Sequence, residues 1–182
     1  SAALLKGVYD SYIKAFRWAS DRLNPNEGGI IAFITNSGWL DKPMGEGFRR
    51  TIEQEFSKIY VFDLRGAVRA KTKENARKEG ENVFNIMTGV AITILVKNPA
   101  HQKEDKCEIL YRNIGDYLTR EQKLKMIKDF RSITSKKLDW QVIMPNEKAD
   151  WINQRDGVFD SLIPLAPEKK FSLGTQSVFS TY

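Results

Sequence analysis

The sequence predicts an α/β fold: an open, layered sheet, incomplete as it stands, with a mixed α/β extension behind it. The first observation is a set of short apolar runs bounded by turn residues, at 30–35, 59–64 and 89–96, the form taken by strands buried on both faces. The second is helical spacing in the segments before and between the first two runs. The third is their order, helix, strand, helix, strand, loop, strand, which belongs to a layered α/β domain.

Val8, Tyr12, Ala15, Ala19 and Leu23, flanked by Tyr9, Ile13 and Phe16, recur every three or four residues, so the first segment is a helix with a broad buried face. Asn24-Pro25-Asn26-Glu27-Gly28-Gly29 ends it. The strand at 30–35 reads as covered on both faces, the type found in parallel sheets. A polar loop at 36–41 leads to a second helix near Met44, with Phe48, Ile52 and Phe56 on one face. After the strand at 59–64, residues 65–82 are almost wholly polar and carry charges of both signs. Without an apolar period they read as an exposed, mobile loop.

Beyond Pro99, residues 109–114 read as a further strand. Thr119 and Gln122 have capping-box spacing and open a helix whose apolar edge is Leu124, Ile127 and Phe130. After Asp139 the chain is rich in Trp, Pro and Asn, with a short helix expected over 149–162 and a strand or linker over 171–182. Three strands make a thin sheet for such continuous apolar runs, and the chain opens on a helix that should already have a sheet to cover. The expectation is a piece of a longer polypeptide with more strands upstream.

The composition, 41% hydrophobic and 29% charged over 182 residues, is that of an ordinary globular domain able to bury a core without disulfide or metal. A single Cys107 excludes an internal disulfide and a multi-cysteine zinc site, and a single His101 leaves nothing for a histidine metal cluster. Cys107 lies in an alternating run and reads as a packed strand residue; His101 reads as a solvated loop residue. No segment approaches the roughly 20 apolar residues of a membrane helix, and the opening residues carry no signal pattern. A cytoplasmic protein with no membrane partner is expected. The net charge of +6 suits a polyanionic partner.

Phosphate-binding signatures fail. Gly45-Glu46-Gly47 is not immediately preceded by a strand and has Arg50 where the third glycine would stand; no Walker-type loop occurs. The loop Asn36-Ser37-Gly38-Trp39 follows a strand, where open α/β sheets place ligands, and reads either as a ligand loop or as a routine strand-to-helix turn. Val83-Phe84 stands between a charged loop and a buried strand. Phe84 either plugs the sheet or forms a stacking platform for a nucleic-acid base, an interaction of about 1–3 kcal/mol per base. Arg65, Arg69, Lys71, Lys73, Arg77 and Lys78 are interleaved with Glu74, Glu79 and Glu81; they form either a solvated loop or a set of phosphate contacts.

Taken together, residues 9–19, 29–36, Gly47-Phe48-Arg49-Arg50, 59–66, Asn82-Val83-Phe84 and 88–92 resemble the later motifs of DNA adenine-N6 methyltransferases. The resemblance is to the single-polypeptide type I (type ISP-like) restriction–modification enzymes. Residues 150–156 and the final Phe179-Ser180-Thr181-Tyr182 resemble the passage toward target recognition in the same family.

The resemblance implies a partial Rossmann-like methyltransferase sheet, later strands and helices only, with a C-terminal mixed α/β extension. Residues 1–99 would be the C-terminal half of the methyltransferase core, 100–138 the extension, and 139–182 a linker toward target recognition. The implied parent enzyme transfers a methyl group from S-adenosylmethionine to adenine in double-stranded DNA, with the base flipped out of the stack. Phe84 would pack on that adenine, Asn36, Ser37 and Trp39 would face the cleft, and Arg69, Lys71, Lys73, Arg77 and Lys78 would contact phosphate. The family's Asn/Asp-Pro-Pro-Tyr/Phe tetrad is absent: Asn24-Pro25 is followed by Asn26, and Asn98-Pro99 by Ala100. So is its glycine-rich cofactor loop. No catalytic or metal-ligating residue is therefore assigned, and no cofactor is expected for this chain by itself. The alternative is a non-catalytic basic α/β module that binds DNA or a partner protein.

Overall fold

Strand pairing sets the architecture of the computed structural model, which describes residues 10–69, 72–102 and 105–154. The start of the first apolar stripe, Lys71, the helix expected beyond 154, the strand or linker at 171–182, and the motif residues 155–156 and 179–182 lie outside these. Five strands form one mixed sheet in the order β1-β3-β2-β4-β5. They are β1 (Gly29–Asn36), β2 (Lys58–Arg65), β3 (Val90–Lys97), β4 (Glu108–Asn113) and β5 (Gln141–Ile143). β3 is antiparallel to both β1 and β2, from Gly29↔Lys97 to Asn36↔Val90 and from Lys58↔Val96 onward. β2 and β4 pair in parallel, and β5 closes the far side antiparallel to β4. The residues assigned from sequence to an extension and those assigned to a linker thus each supply one strand, β4 and β5, of this same sheet.

The α/β class holds, with a mixed sheet, and the strand at 30–35 is not covered on both faces. β1 is an edge strand among the described residues, and Ile30 and Ile34 on one of its faces are 66% and 56% exposed. An unbroken apolar run reports hydrophobicity, not partner direction, so it could not distinguish a strand paired on both sides from an edge strand.

One face of the sheet carries Ile31, Ile59, Val61, Ala91, Leu95, Ile109 and Tyr111, covered by α1 (Ser11–Ser20) and α2 (Glu46–Glu55) through Phe16, Ile52 and Phe56. Phe16, Trp39 and Phe48 meet edge-on or tilted, with centroids 5.1–6.4 Å apart, and Trp151 packs on Trp39 at 5.4 Å. Such pairs add to the burial of their own large apolar area. The opposite face, under Phe62, Leu64, Val90 and Ile114, is covered by α4 (Arg120–Phe130), which presents Met126, Ile127 and Phe130.

The capping box at Thr119 and Gln122 forms as the spacing predicts. The helix's apolar edge differs in one place: Leu124 is 41% exposed, while Lys123 is fully buried. Lys123 Nζ donates to the carbonyls of Leu64 and Glu79, both at 2.9 Å, so a charged head completes the packing where an aliphatic residue was expected.

The supposed mobile loop contains α3 (Lys73–Glu79). It has no apolar stripe because its stability is local. The Thr72 hydroxyl accepts from Asn75 N–H at 3.3 Å, Glu74 lies in the first turn, and Arg77 and Lys78 in the last, complementing the helix dipole. At 149–154 no helix forms: Ala149 and Asn153 have positive φ, and the segment folds back on α2. β5 was not foreseen, being a three-residue strand among Trp, Pro and Asn.

Arg49 fastens this return segment. Its guanidinium is fully buried and donates to the carbonyls of Trp39, Lys42 and Ala149, and it faces Asp150 at 3.3 Å. Gly45 makes room for it: a Cβ there would lie 2.2 Å from the Trp39 carbonyl oxygen and 2.7 Å from the guanidinium. Arg49→Met removes the charge partner of Asp150 and the donor to several interior carbonyls, and is expected to cost about 3–5 kcal/mol of stability. Adding Asp150→Asn should cost much less than it does alone. Urea unfolding of both single variants and the double variant checks this; additive losses would refute the coupling.

Candidate functional site

β1 and β2 point the same way and β3 runs against them, so the loops after β1 and β2 and the loop before β3 meet at one end of the sheet. This is the carboxyl end, where open α/β sheets hold their ligands. A cleft of about 200 Å³ opens there between Asn36, Ser37, Asp63, Arg69, Met87 and Thr88. A more polar recess of about 610 Å³ shares Asp41, Asp63 and Glu79 with it, and reaches Arg65, Tyr111 and Asp116.

The first loop is held by its own polar groups. Asn36 Oδ1 accepts from Gly38 N–H at 2.7 Å, an Asx turn, and Ser37 N–H donates to the Gly89 carbonyl at 2.9 Å. Asn36 and Ser37 line the cleft. Trp39 does not: it is fully buried between Phe48 and Trp151. Its place in a loop suggested exposure, but its large apolar surface is drawn into the core as the loop turns at Leu40.

Arg65 and Gly66 end β2 in left-handed backbone, φ 58° and 85°. Gly66 is needed twice over, because a Cβ there would come 2.8 Å from Asn82 Cα. Arg65 pairs with Glu79 at 3.3 Å and with Asp116, and Glu79 Oε2 also accepts from Ala67 N–H at 3.1 Å. Of the phosphate candidates, Arg69 stands exposed at the cleft, and Lys73, Arg77 and Lys78 are exposed on α3. Lys78 is also 3.6 Å from Asp116. Lys71 lies outside the described residues.

Val83 and Phe84 part company. Val83 is 5% exposed and belongs to the core under α4, whereas Phe84 is 55% exposed. Phe84 is not a plug in the sheet. It stands on the loop whose Met87 and Thr88 line the cleft, and backbone N–H groups of Val68 and Arg69 reach the Met87 carbonyl at 3.2 and 3.4 Å.

Asp63 was not singled out from sequence, although an acid inside an otherwise apolar strand is a visible signal. Burial raises its carboxyl pKa to about 6, and the charge of Glu79 pushes the same way. Arg65 N–H at 2.8 Å and the Tyr111 hydroxyl at 3.2 Å oppose the rise. Tyr111 is itself held well above the usual phenol value, by burial first and then by Asp63. Burial raises the Cys107 thiol to about 12, which leaves no thiolate for nucleophilic chemistry. Among the described residues no group of His, Cys, Asp and Glu could hold a metal ion, and no helix is long and apolar enough to cross a membrane.

The raised pKa of Asp63 fixes the sign of a pH effect. Between the unfolded value near 4 and the folded value near 6, the folded state holds the proton that the unfolded state releases. Stability from this group is therefore full below about pH 4 and declines as pH rises to about 6, by an amount on the order of 1–3 kcal/mol. Asp63→Asn should remove that decline, measured by urea unfolding across pH 4–7. An unchanged slope would count against the burial of the charge.

No family model matches the chain, and no curated protein does. Solved structures do. Over 94% of its length, with 43% identity and a TM-score of 0.86, the chain is similar to part of the ATP-dependent Type ISP restriction-modification enzyme LlaBIII bound to DNA. A nuclease-deletion mutant of the Type ISP restriction-modification enzyme LlaGI, in complex with a DNA substrate mimic, matches over 96% with 41% identity and a TM-score of 0.80. A DrdV–DNA complex matches over 87% with 32% identity and a TM-score of 0.73. The chain spans 11%, 16% and 15% of those chains. It is similar, over nearly its whole length, to one segment of much longer Type ISP restriction-modification enzymes.

Proposed function

We propose that this chain is the later part of the adenine-N6 methyltransferase domain of a Type ISP-like restriction–modification enzyme, and that it rims the pocket for a flipped adenine. The observation that carries this reading is Phe84: a half-exposed aromatic on a loop at the end of the sheet where β1 and β2 finish and β3 begins, beside a buried Val83. The likeness to DNA-bound Type ISP enzymes supports it. So does the sheet itself, since the edge of β1 that is unpaired among the described residues suits continuation into further strands. On this reading residues 139–182 lead toward target recognition.

On this reading S-adenosylmethionine is the methyl donor of the longer enzyme. The glycine of the β1–α2 connection, Gly45, is packed against the Trp39 carbonyl and Arg49 and presents no cradle to a ligand. The cofactor is assigned to other parts of the longer enzyme, as is the group that accepts hydrogen bonds from the target amine.

In the full-length enzyme, Phe84→Ala is expected to lower the methylation rate about 10- to 100-fold, the loss of one base-stacking contact, while DNA affinity stays within a few-fold. An unchanged rate would return Phe84 to the role of a surface residue and favour a DNA- or protein-binding module without catalysis. The exposed Arg69, Lys73, Arg77 and Lys78 are proposed to meet phosphate. For Arg69→Ala, the slope of log affinity against log salt should shrink by about one, read by fluorescence anisotropy with duplex DNA. A slope equal to that of the unaltered enzyme would exclude Arg69 from phosphate contact.

A further inference from the structure

We propose that Asn82 is a positioning residue: its side-chain amide sets the loop that presents Phe84 to the flipped base. This rests on the base-stacking reading of Phe84. Residues 82–88 turn at Asn85, whose φ is 57°, and expose Phe84, Ile86 and Met87 at 55%, 47% and 50%. A loop with three large apolar side chains in water gains little from burial, so polar contacts must hold its shape. Asn82 supplies them from beneath, at 7% exposure. Its Oδ1 accepts from Phe84 N–H at 2.8 Å and from Ile86 N–H at 3.4 Å. Its Nδ2 donates to the Thr88 carbonyl at 2.7 Å and to the Gly66 carbonyl at 3.4 Å.

One amide thus ties the start of the loop to its end and to the turn after β2. The task needs both an acceptor and a two-proton donor on a short side chain. Aspartate would keep the acceptor but turn a charged oxygen toward two carbonyls; alanine would leave buried backbone groups unpaired. The fold has independent anchors next door. Val83 is in the core, and Arg120 Nε donates to its carbonyl at 3.0 Å. Loss of the Asn82 amide should therefore misdirect Phe84 more than it unfolds the chain.

The test uses the full-length enzyme and a duplex carrying 2-aminopurine in place of the methylated adenine, alongside methylation kinetics on the unmodified duplex. Asn82→Ala and Asn82→Asp are each expected to lower kcat about tenfold, with DNA affinity held within about twofold. The fluorescence of bound 2-aminopurine should change in the same sense as in Phe84→Ala. In the Phe84→Ala background, Asn82→Ala should add nearly nothing, because the ring it positions is gone. A purely structural role would give a loss that persists in that background, and that result overturns the proposal, as does an unchanged kcat. If Asn82→Ala fails to fold by thermal unfolding, Asn82→Ser takes its place in the same cycle. An unaltered rate in Phe84→Ala alone would sink the base-stacking reading instead, so the two failures are distinguishable.

Discussion

β3 lies antiparallel between β1 and β2 and pairs with each along nearly its whole length. Because β1 and β2 are thereby held parallel, their carboxyl ends and the amino end of β3 fall on one side of the molecule. The loops at 36–42, 65–69 and 82–89 meet there because of this one insertion. Had β3 joined the sheet in parallel, its leading loop would sit at the opposite end and the cleft would lose one wall. The central strand is built for this position: Ala91, Thr93 and Leu95 are almost fully buried on one face, and the backbone is paired on both sides.

Charge is placed with the same economy. Arg49 and Lys123 have almost no exposed surface, yet each spends its donors on carbonyls where the chain reverses. Arg49 links the loop after β1 to the segment returning from β5, and Lys123 links the end of β2 to the end of α3. A buried cation is costly unless its donors are used and its charge is answered. Asp150 answers Arg49, while burial lowers the pKa of Lys123 and the charge of Glu79 opposes that shift. These two residues stiffen the walls on either side of the cleft, and the exposed Phe84 stands on a loop between firm supports.

The amino-acid sequence by itself determined the α/β class, the first two helices, four of the five strands and the capped start of α4, because each rests on a local signal: an apolar period, a turn cluster or a cap. It also marked Asn36, Ser37 and Phe84, since polar loops after strands and a lone aromatic beside a charged stretch are visible in one dimension. Tertiary structure alone decided which apolar residues face inward, because periodicity is silent about what lies across from a side chain. That is why Trp39 went into the core, Leu124 stayed outside, and the charged Lys123 is buried. α3 and β5 escaped for a related reason. One is a polar helix held by a cap and end charges, and the other a three-residue strand whose pairing energy comes from β4. Strand direction too was settled only by long-range pairing, since hydrogen bonds to a neighbour leave no periodic trace in the chain that makes them.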